Sequence, residues 1–273
     1  MRKNYLISLL ALSAMAVSAS SMAKENVTVS GSTTVLPVMQ KISEHLMQKD
    51  PSVVIELCGG GSGNGIKALN EQLTQIAMSS RKIKDKEMKA AEEKGVKPFE
   101  IPVAVDAIVP IVNPKNSLKN LSLDDLRKIY KGEIKNWKEV GGPDAPIVLV
   151  SRDTSSGTFE TWESLVMKNQ RVSPRALLQS SNGTVVQTVS RNPNAIGYVG
   201  LGYVVPIIKA VEINGIKATP ETAKNAKWPL SRDLYLYTNA QPQGAVKKVT
   251  DFCLSEEGRS LIKEVGFIPP AKR

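Results

Sequence analysis

Short runs rich in β-branched residues alternate with amphipathic helical patterns along most of this chain, and that alternation restricts the fold more than any other feature. Val27–Ser30, Val53–Leu57, Gln75–Met78, Ile101–Val105, Ile108–Val112, Ile147–Val150, Ala195–Val199, Lys209–Ile213 and Leu234–Thr238 read as strands. Between them, apolar residues recur at helical spacing. One stripe is Val35, Met39, Ile42 and Leu46; a second is Ile66, Leu69 and Leu73; a third is Phe159, Trp162 and Val166. Val246, Val249 and Phe252 begin a C-terminal helix. Stripes of this kind are core contacts rather than cofactor contacts. Ser122 stands three residues before Asp125 and just ahead of Leu126 and Ile129, a helix start of capping-box type, and Gly132 is the expected stop. The whole pattern predicts an α/β architecture. There is no internal repeat and no Gly, Pro and Ser run long enough for a free tether. Two domains, if present, must be joined by short crossovers.

The first residues read as a secretory leader. Arg2 and Lys3 precede an apolar run from Leu6 to Val17, and Ser21-Met22-Ala23 carries the small residues of a cleavage site after Ala23. The run is short for a membrane span and has no cysteine near its end for lipid attachment. The expected mature protein is soluble and exported; the full chain carries 36 Lys and Arg against 26 Asp and Glu, and loss of Arg2 and Lys3 with the leader leaves 34 against 26. A basic surplus fits nucleic acid, an anionic membrane or a small anion, and equally a solvated basic face. Export and the scattered lysines, without interleaved aromatics, argue against nucleic acid. Cys58 and Cys253 lie in a compartment that permits a disulfide, but spacing alone does not show that they meet.

Four hydroxyl- and glycine-rich segments each stand where a strand gives way to a helix. They are Ser30 to Thr34, Gly59 to Gly65, Ser79-Ser80-Arg81, and Ser151 to Thr158, the last containing Arg152, Ser155, Ser156 and Gly157. A helix start presents backbone N–H groups without intrahelical partners and the positive end of the helix dipole. Glycine permits close approach, and hydroxyls add donors. One such segment is an ordinary cap; four together point to an anion. Nucleotide motifs fail: Gly65 is followed by Ile66 where a P-loop needs Lys, and Asn64 stands where the dinucleotide pattern needs Gly. The same Asn64 breaks a nucleophile elbow around Ser62. The lone histidine, His45, is expected at the helix surface or boundary, and His and Cys are too few for a zinc or iron cluster.

Taken as an ordered set, several segments resemble the PstS-type periplasmic phosphate-binding proteins of ABC importers, especially their shorter members. The resemblance is carried by Gly31-Ser32-Thr33-Thr34-Val35-Leu36-Pro37, Gly61 to Gly65, Val105-Asp106 with Asn113-Pro114, Leu123 to Trp137, Arg152 to Thr158, and Asn192 to Tyr198. It implies a two-lobed type II binding-protein fold with a ligand cleft. Lobe one would hold 24–106 and 203–273, and lobe two 107–202. The chain would cross near Val105–Ala107 and near Gly200–Tyr203. It also implies a periplasmic monomer, without metal or cofactor, that hands inorganic phosphate to a membrane permease and is not an enzyme. By motif, Thr33 would donate to phosphate with Ser32 or Thr34 in support. Ser62 would donate from the second loop, Ser80 and Arg81 from the third, Arg152 through a charge-assisted bond, and Ser155, Ser156, Gly157 and Thr158 from the next helix start.

One departure bears on selectivity. Longer family members have a carboxylate after the third segment, which accepts the proton of phosphate and repels sulfate; here the place is taken by Ser80. Asp106, beside the first crossover, is expected to supply that acceptor, or else to hold Arg81 or Arg152 in place. Another oxyanion, a sensory or adhesive phosphate binder, and a phosphomonoester hydrolase remain as other readings.

Overall fold

The computed structural model describes residues 24–271, so the expected leader at 1–23 lies outside the described residues. From the N-terminus the chain runs through β1 (Glu25–Gly31), α1 (Leu36–Lys49), β2 (Val53–Gly59), α2 (Ser62–Asn70), β3 (Ile76–Ser79), α3 (Asp85–Glu92) and the long strand β4 (Pro98–Val112). Then come β5 (Asn120–Leu121), α4 (Leu123–Lys131), β6 (Val148–Arg152), α5 (Gly157–Leu165), β7 (Leu177–Gln179), α6 (Asn182–Arg191) and β8 (Ala195–Gly200). After a 3-10 turn at Leu201–Tyr203, the chain forms β9 (Lys209–Ala210), β10 (Glu212–Ile213), α7 (Pro220–Lys224), β11 (Ser231–Asn239), α8 (Gly244–Leu254) and α9 (Glu256–Glu264).

The sheet order is β2-β1-β3-β11-β4-β8-β6-β7, with β9 pairing β4 and a small β10-β5 pair beside it. β1 pairs in parallel with β2 and β3, and β6 in parallel with β7 and β8. Parallel neighbours need crossover helices, which is why the strand–helix alternation is so regular in the sequence. β4 joins the halves. Its first part pairs antiparallel with β11, from Pro98 to Ala107, and its second part with β8, from Ile108 to Val112. The expected strands Ile101–Val105 and Ile108–Val112 are therefore one strand that changes partner at its middle. The expected strand Lys209–Ile213 is instead two pieces, because β9 pairs β4 while β10 turns to β5.

Two main apolar cores follow. One packs Val27, Val29, Met39, Ile42, Leu234, Leu236 and Val249 around β1 and β11. The other packs Ile111, Tyr130, Trp137, Trp162, Val185 and Tyr198 around β4, β6 and β8. Ile208, Val211, Ile213, Trp228 and Leu230 belong to the second core, and Trp228 Nε1 donates to the Ile108 carbonyl at 3.0 Å. The packing therefore returns to the first half at β11 and not at residue 203, since the segment before β11 is anchored on the second part of β4.

Local signals explain most element ends. All four residues of the Val35 stripe are buried along α1. Leu73, by contrast, is 71% exposed, because α2 ends at Asn70 and Gln72 turns to φ 56°. Ser122 Oγ accepts from Asp125 N at 3.0 Å, the Asp125 carboxylate accepts from Ser122 N at 3.0 Å, and Gly132 closes the helix at φ 78°. The thiols of Cys58, exposed, and Cys253, buried, are both free. Among the described residues no helix is long and apolar enough to cross a membrane. Replacing Ser122 with Ala removes the bond that its Oγ accepts from Asp125 N and leaves the one donated by its backbone N–H, so urea denaturation should show a loss of about 1 kcal/mol.

Candidate functional site

The carboxyl ends of β1, β2 and β3 face the carboxyl end of β6, where ligands gather in α/β sheets. Close packing of glycines brings the loops together. A methyl group on Gly65 would stand 2.6 Å from Gly31 Cα, so α2 lies directly on the end of β1. A methyl group on Gly157 would stand 2.7 Å from Ser80 Oγ and would also strike Ser62 Oγ.

Hydroxyls from all four segments meet there. Ser62 Oγ lies 3.2 Å from Ser80 Oγ and accepts from Ser80 N at 3.0 Å. Thr34 Oγ1 lies 2.9 Å from Thr158 Oγ1, joining the first half to the second. Thr33 Oγ1 accepts from Asn182 Nδ2 at 3.0 Å, and Tyr203 donates its hydroxyl proton to the Thr33 carbonyl. Ser32 Oγ accepts from Thr34 N and caps the turn into α1, and Ser156 Oγ accepts from Phe159 N at the start of α5. Ser32, Thr33, Thr34, Ser62, Ser80, Ser156, Gly157 and Thr158 are all buried, so the halves are closed over the cluster.

Arg152, at the end of β6, is 1% exposed. Its Nε donates to the Gln179 carbonyl at 2.9 Å and Nη2 to the Ser180 carbonyl at 3.0 Å, while Nη1 has no protein partner. Its backbone N–H reaches Tyr198 Oη at 3.3 Å, and the Tyr198 ring stacks on Trp162 with centroids 4.2 Å apart. The arginine is thus aimed by the aromatic core of its own half. Burial holds its guanidinium below the ordinary pKa, and nearby Arg232 acts in the same direction.

Two expected donors are engaged elsewhere. Arg81 donates to both oxygens of Glu87, at 2.8 and 2.7 Å, and pairs with Glu160 on α5. Burial opposes its charge, but the carboxylates more than offset this and raise its pKa. Lys84 also reaches Glu160, at 3.0 Å. Arg81 therefore bridges the halves outside the hydroxyl cluster. Ser155 does the same with its hydroxyl, which donates to the Gly60 carbonyl at 3.2 Å and to Asp153, while its carbonyl accepts from Gly63 N at 3.0 Å.

Asp106 is fully buried, at the middle of β4, but its partner is neither Arg81 nor Arg152. Arg232 on β11 donates Nε and Nη2 to Asp106 Oδ2 at 3.0 and 2.8 Å, and Leu201 N donates to Oδ1 at 2.9 Å. Burial pushes the carboxyl above its ordinary range against the pull of Arg232. Sequence reasoning missed Arg232, Asn182 and Tyr203. Asn182 had a signal: Ser180-Ser181-Asn182-Gly183-Thr184 is a fifth hydroxyl segment before a helix, and Ser181 caps α6. Arg232 had a fainter one, a cation two residues before buried Leu234 in strand alternation.

Removing one partner of a desolvated pair leaves the other charge buried alone, a loss of about 3–5 kcal/mol. Asp106→Asn should therefore lower unfolding stability by that amount in chemical denaturation; a loss within about 1 kcal/mol would show that Arg232 finds water or another partner. Gly65→Ala pushes α2 off β1 and should cost about 1–3 kcal/mol in the same measurement.

Comparison with known proteins agrees with this architecture. The model of the PBP superfamily domain matches residues 16–257. The phosphate-binding protein PstS of Borreliella burgdorferi is 32% identical, over 89% of this chain and 89% of its own. A Clostridium perfringens substrate-binding protein solved with bound phosphate is 36% identical and superposes with a TM-score of 0.86, covering 90% of this chain and all of the other. An ABC-type phosphate transport receptor from Vibrio cholerae is 32% identical with a TM-score of 0.72, covering 89% of this chain and all of its own. With its strand-to-helix loops closed on one buried cluster and this similarity along nearly its whole length, the chain belongs to the PBP superfamily, in the PstS-type family of phosphate-binding proteins.

Proposed function

We propose that this chain binds inorganic phosphate in the closed cluster between its halves, outside the cytoplasm, and delivers it to the membrane permease of an ABC importer. The observation that carries the reading is the meeting of hydroxyls from four strand-to-helix turns beside Arg152, whose buried Nη1 has no protein partner. Helix starts, hydroxyls and a guanidinium are the donor set that an oxyanion requires. The relatives named above, a phosphate-binding protein, a protein solved with phosphate and a phosphate transport receptor, support the same ligand.

Binding without chemistry fits the site better than hydrolysis does. The lone imidazole, His45, lies half-buried on α1 with Nδ1 3.1 Å from the Lys41 carbonyl, apart from the cluster. The serines and threonines there bond to one another, to backbone and to the donors Asn182 and Arg232, which are not bases that could activate them as nucleophiles. Thr33, Thr34, Ser62, Ser80, Ser156, Gly157, Thr158 and Arg152 are the proposed contacts. Hydroxyls both donate and accept, so Ser62, Ser80, Thr34 and Thr158 can meet the deprotonated oxygens of phosphate and its remaining proton alike. Contacts across the rim, Arg81 with Glu160 and Ser155 with Gly60 and Gly63, favour the closed form that a permease would recognise.

Titration calorimetry with phosphate, sulfate and a phosphomonoester at two pH values tests the reading. Phosphate should bind and the other two should not compete. A charge-assisted bond contributes about 1.5–3 kcal/mol and a neutral one about 1 kcal/mol, so Arg152→Ala should weaken phosphate binding by about 10- to 150-fold and Ser62→Ala by about fivefold. No heat with phosphate would sink the reading, and the reverse order of the two variants would remove Arg152 from the site.

A further inference from the structure

Arg232 has a second face that its ion pair does not use. Only 6% of its side chain is exposed, and Nε and Nη2 are bound to Asp106. Nη2 also donates to Thr34 Oγ1 at 3.3 Å and to Thr158 Oγ1 at 3.0 Å, the two hydroxyls that join the halves. Nη1 has no protein partner. A guanidinium is planar, so Nη1 lies in the plane that already contains Nη2 and its bonds to the cluster. Arg152 presents a second unpartnered Nη1, and the two guanidiniums are close enough to repel each other. Asp106 pairs with Arg232, and the partly exposed Asp153 lies 3.9 Å from Arg152 Nη2, but neither carboxylate reaches the two Nη1 groups, and buried donors of this kind are stabilised when an anion lies between them.

We propose that Arg232 is a second cationic contact for the bound phosphate, its Nη1 donating to a phosphate oxygen, and that Asp106 is the positioning residue that aims it. This rests on the phosphate reading given above and adds a specificity element to it. Arg152 approaches from the second half and Arg232 from the first, so the anion is clamped by one guanidinium from each side. Thr34 and Thr158, which share Arg232 Nη2, are oriented by the same clamp.

The test must separate contact with the anion from simple neutralisation of Asp106. The double variant Asp106→Asn, Arg232→Gln removes both charges at once and leaves neutral hydrogen-bonding side chains of similar shape, so neither charge is stranded. Calorimetry with inorganic phosphate on wild type and double variant, beside thermal denaturation of both, gives the answer. The double variant should melt close to wild type and bind phosphate about ten- to hundredfold more weakly. Equal affinity would overturn the inference, because Arg232 would then serve Asp106 alone. Should the double variant fail to melt cooperatively, Arg232→Lys serves: it keeps the charge beside Asp106 but loses the planar fork. It should weaken phosphate at least about tenfold, and binding like wild type would overturn the inference. Wild type that does not bind phosphate removes the parent reading and this one together, whereas wild type that binds beside an unimpaired variant removes this one alone.

Discussion

A carboxylate and a guanidinium with almost no access to water persist together only because each neutralises the other, and the Asp106–Arg232 pair has that character. Its position gives it reach. Asp106 stands where β4 leaves β11 for β8, and Arg232 stands on β11 directly opposite in the register. The pair therefore marks the seam between the two apolar cores. From that seam the guanidinium extends to Thr34 in one half and Thr158 in the other. The Gly200 backbone is held there as well, since a methyl group on it would stand 3.0 Å from the Asp106 carboxylate. Strand order, crossover and ligand cluster are tied to one buried bond set.

Around that centre, the contacts at the rim of the cleft differ in kind from those inside the hydroxyl cluster. The inner set is built on hydroxyls, which bond to one another, as between Thr34 and Thr158, and accept from Asn182 and Arg232. The outer set is ionic or backbone: Glu160 with Arg81 and Lys84, and Gly63 with the Ser155 carbonyl. Neutral hydroxyls can turn to suit an oxyanion, while the rim fixes the relation of the halves. Arg81 and Arg152 show the division. Both stand in hydroxyl segments, Arg81 half-buried and Arg152 buried, yet carboxylates raise the pKa of the first against burial and burial lowers that of the second.

Much of this was legible in the residues. The Val35 stripe, the Ser122 cap, the Gly132 stop and the hydroxyl segments before α1, α2 and α5 are local signals, and the chain obeys them. Local signals do not say which distant partner a charged side chain will find. Arg81 looks like an anion ligand beside Ser80 until Glu160 arrives from α5, 79 residues away. Asp106 is conspicuous in an apolar strand, but its counter-ion is 126 residues on. The single strand β4 reads as two because Asp106-Ala107 interrupts its β-branched run, while the change of partner at that point leaves no mark in the alternation. Leu73 was read as core because its spacing continues past the point where Gln72 ends the turn.

The placement of β11 has a consequence for how the molecule assembles. This strand lies between β3 and β4, at the centre of the sheet, yet it comes after the whole excursion through β5 to α7. A chain emerging from its N-terminus can complete β1, β2 and β3 early, but the strand that joins them to β4 arrives last. Closing so long a loop adds entropic cost, and topologies dominated by distant pairings fold slowly. Until β11 inserts, β3 and the first part of β4 are open edges. The same excursion that builds the second wall of the cleft keeps the first half unfinished until most of the chain is made.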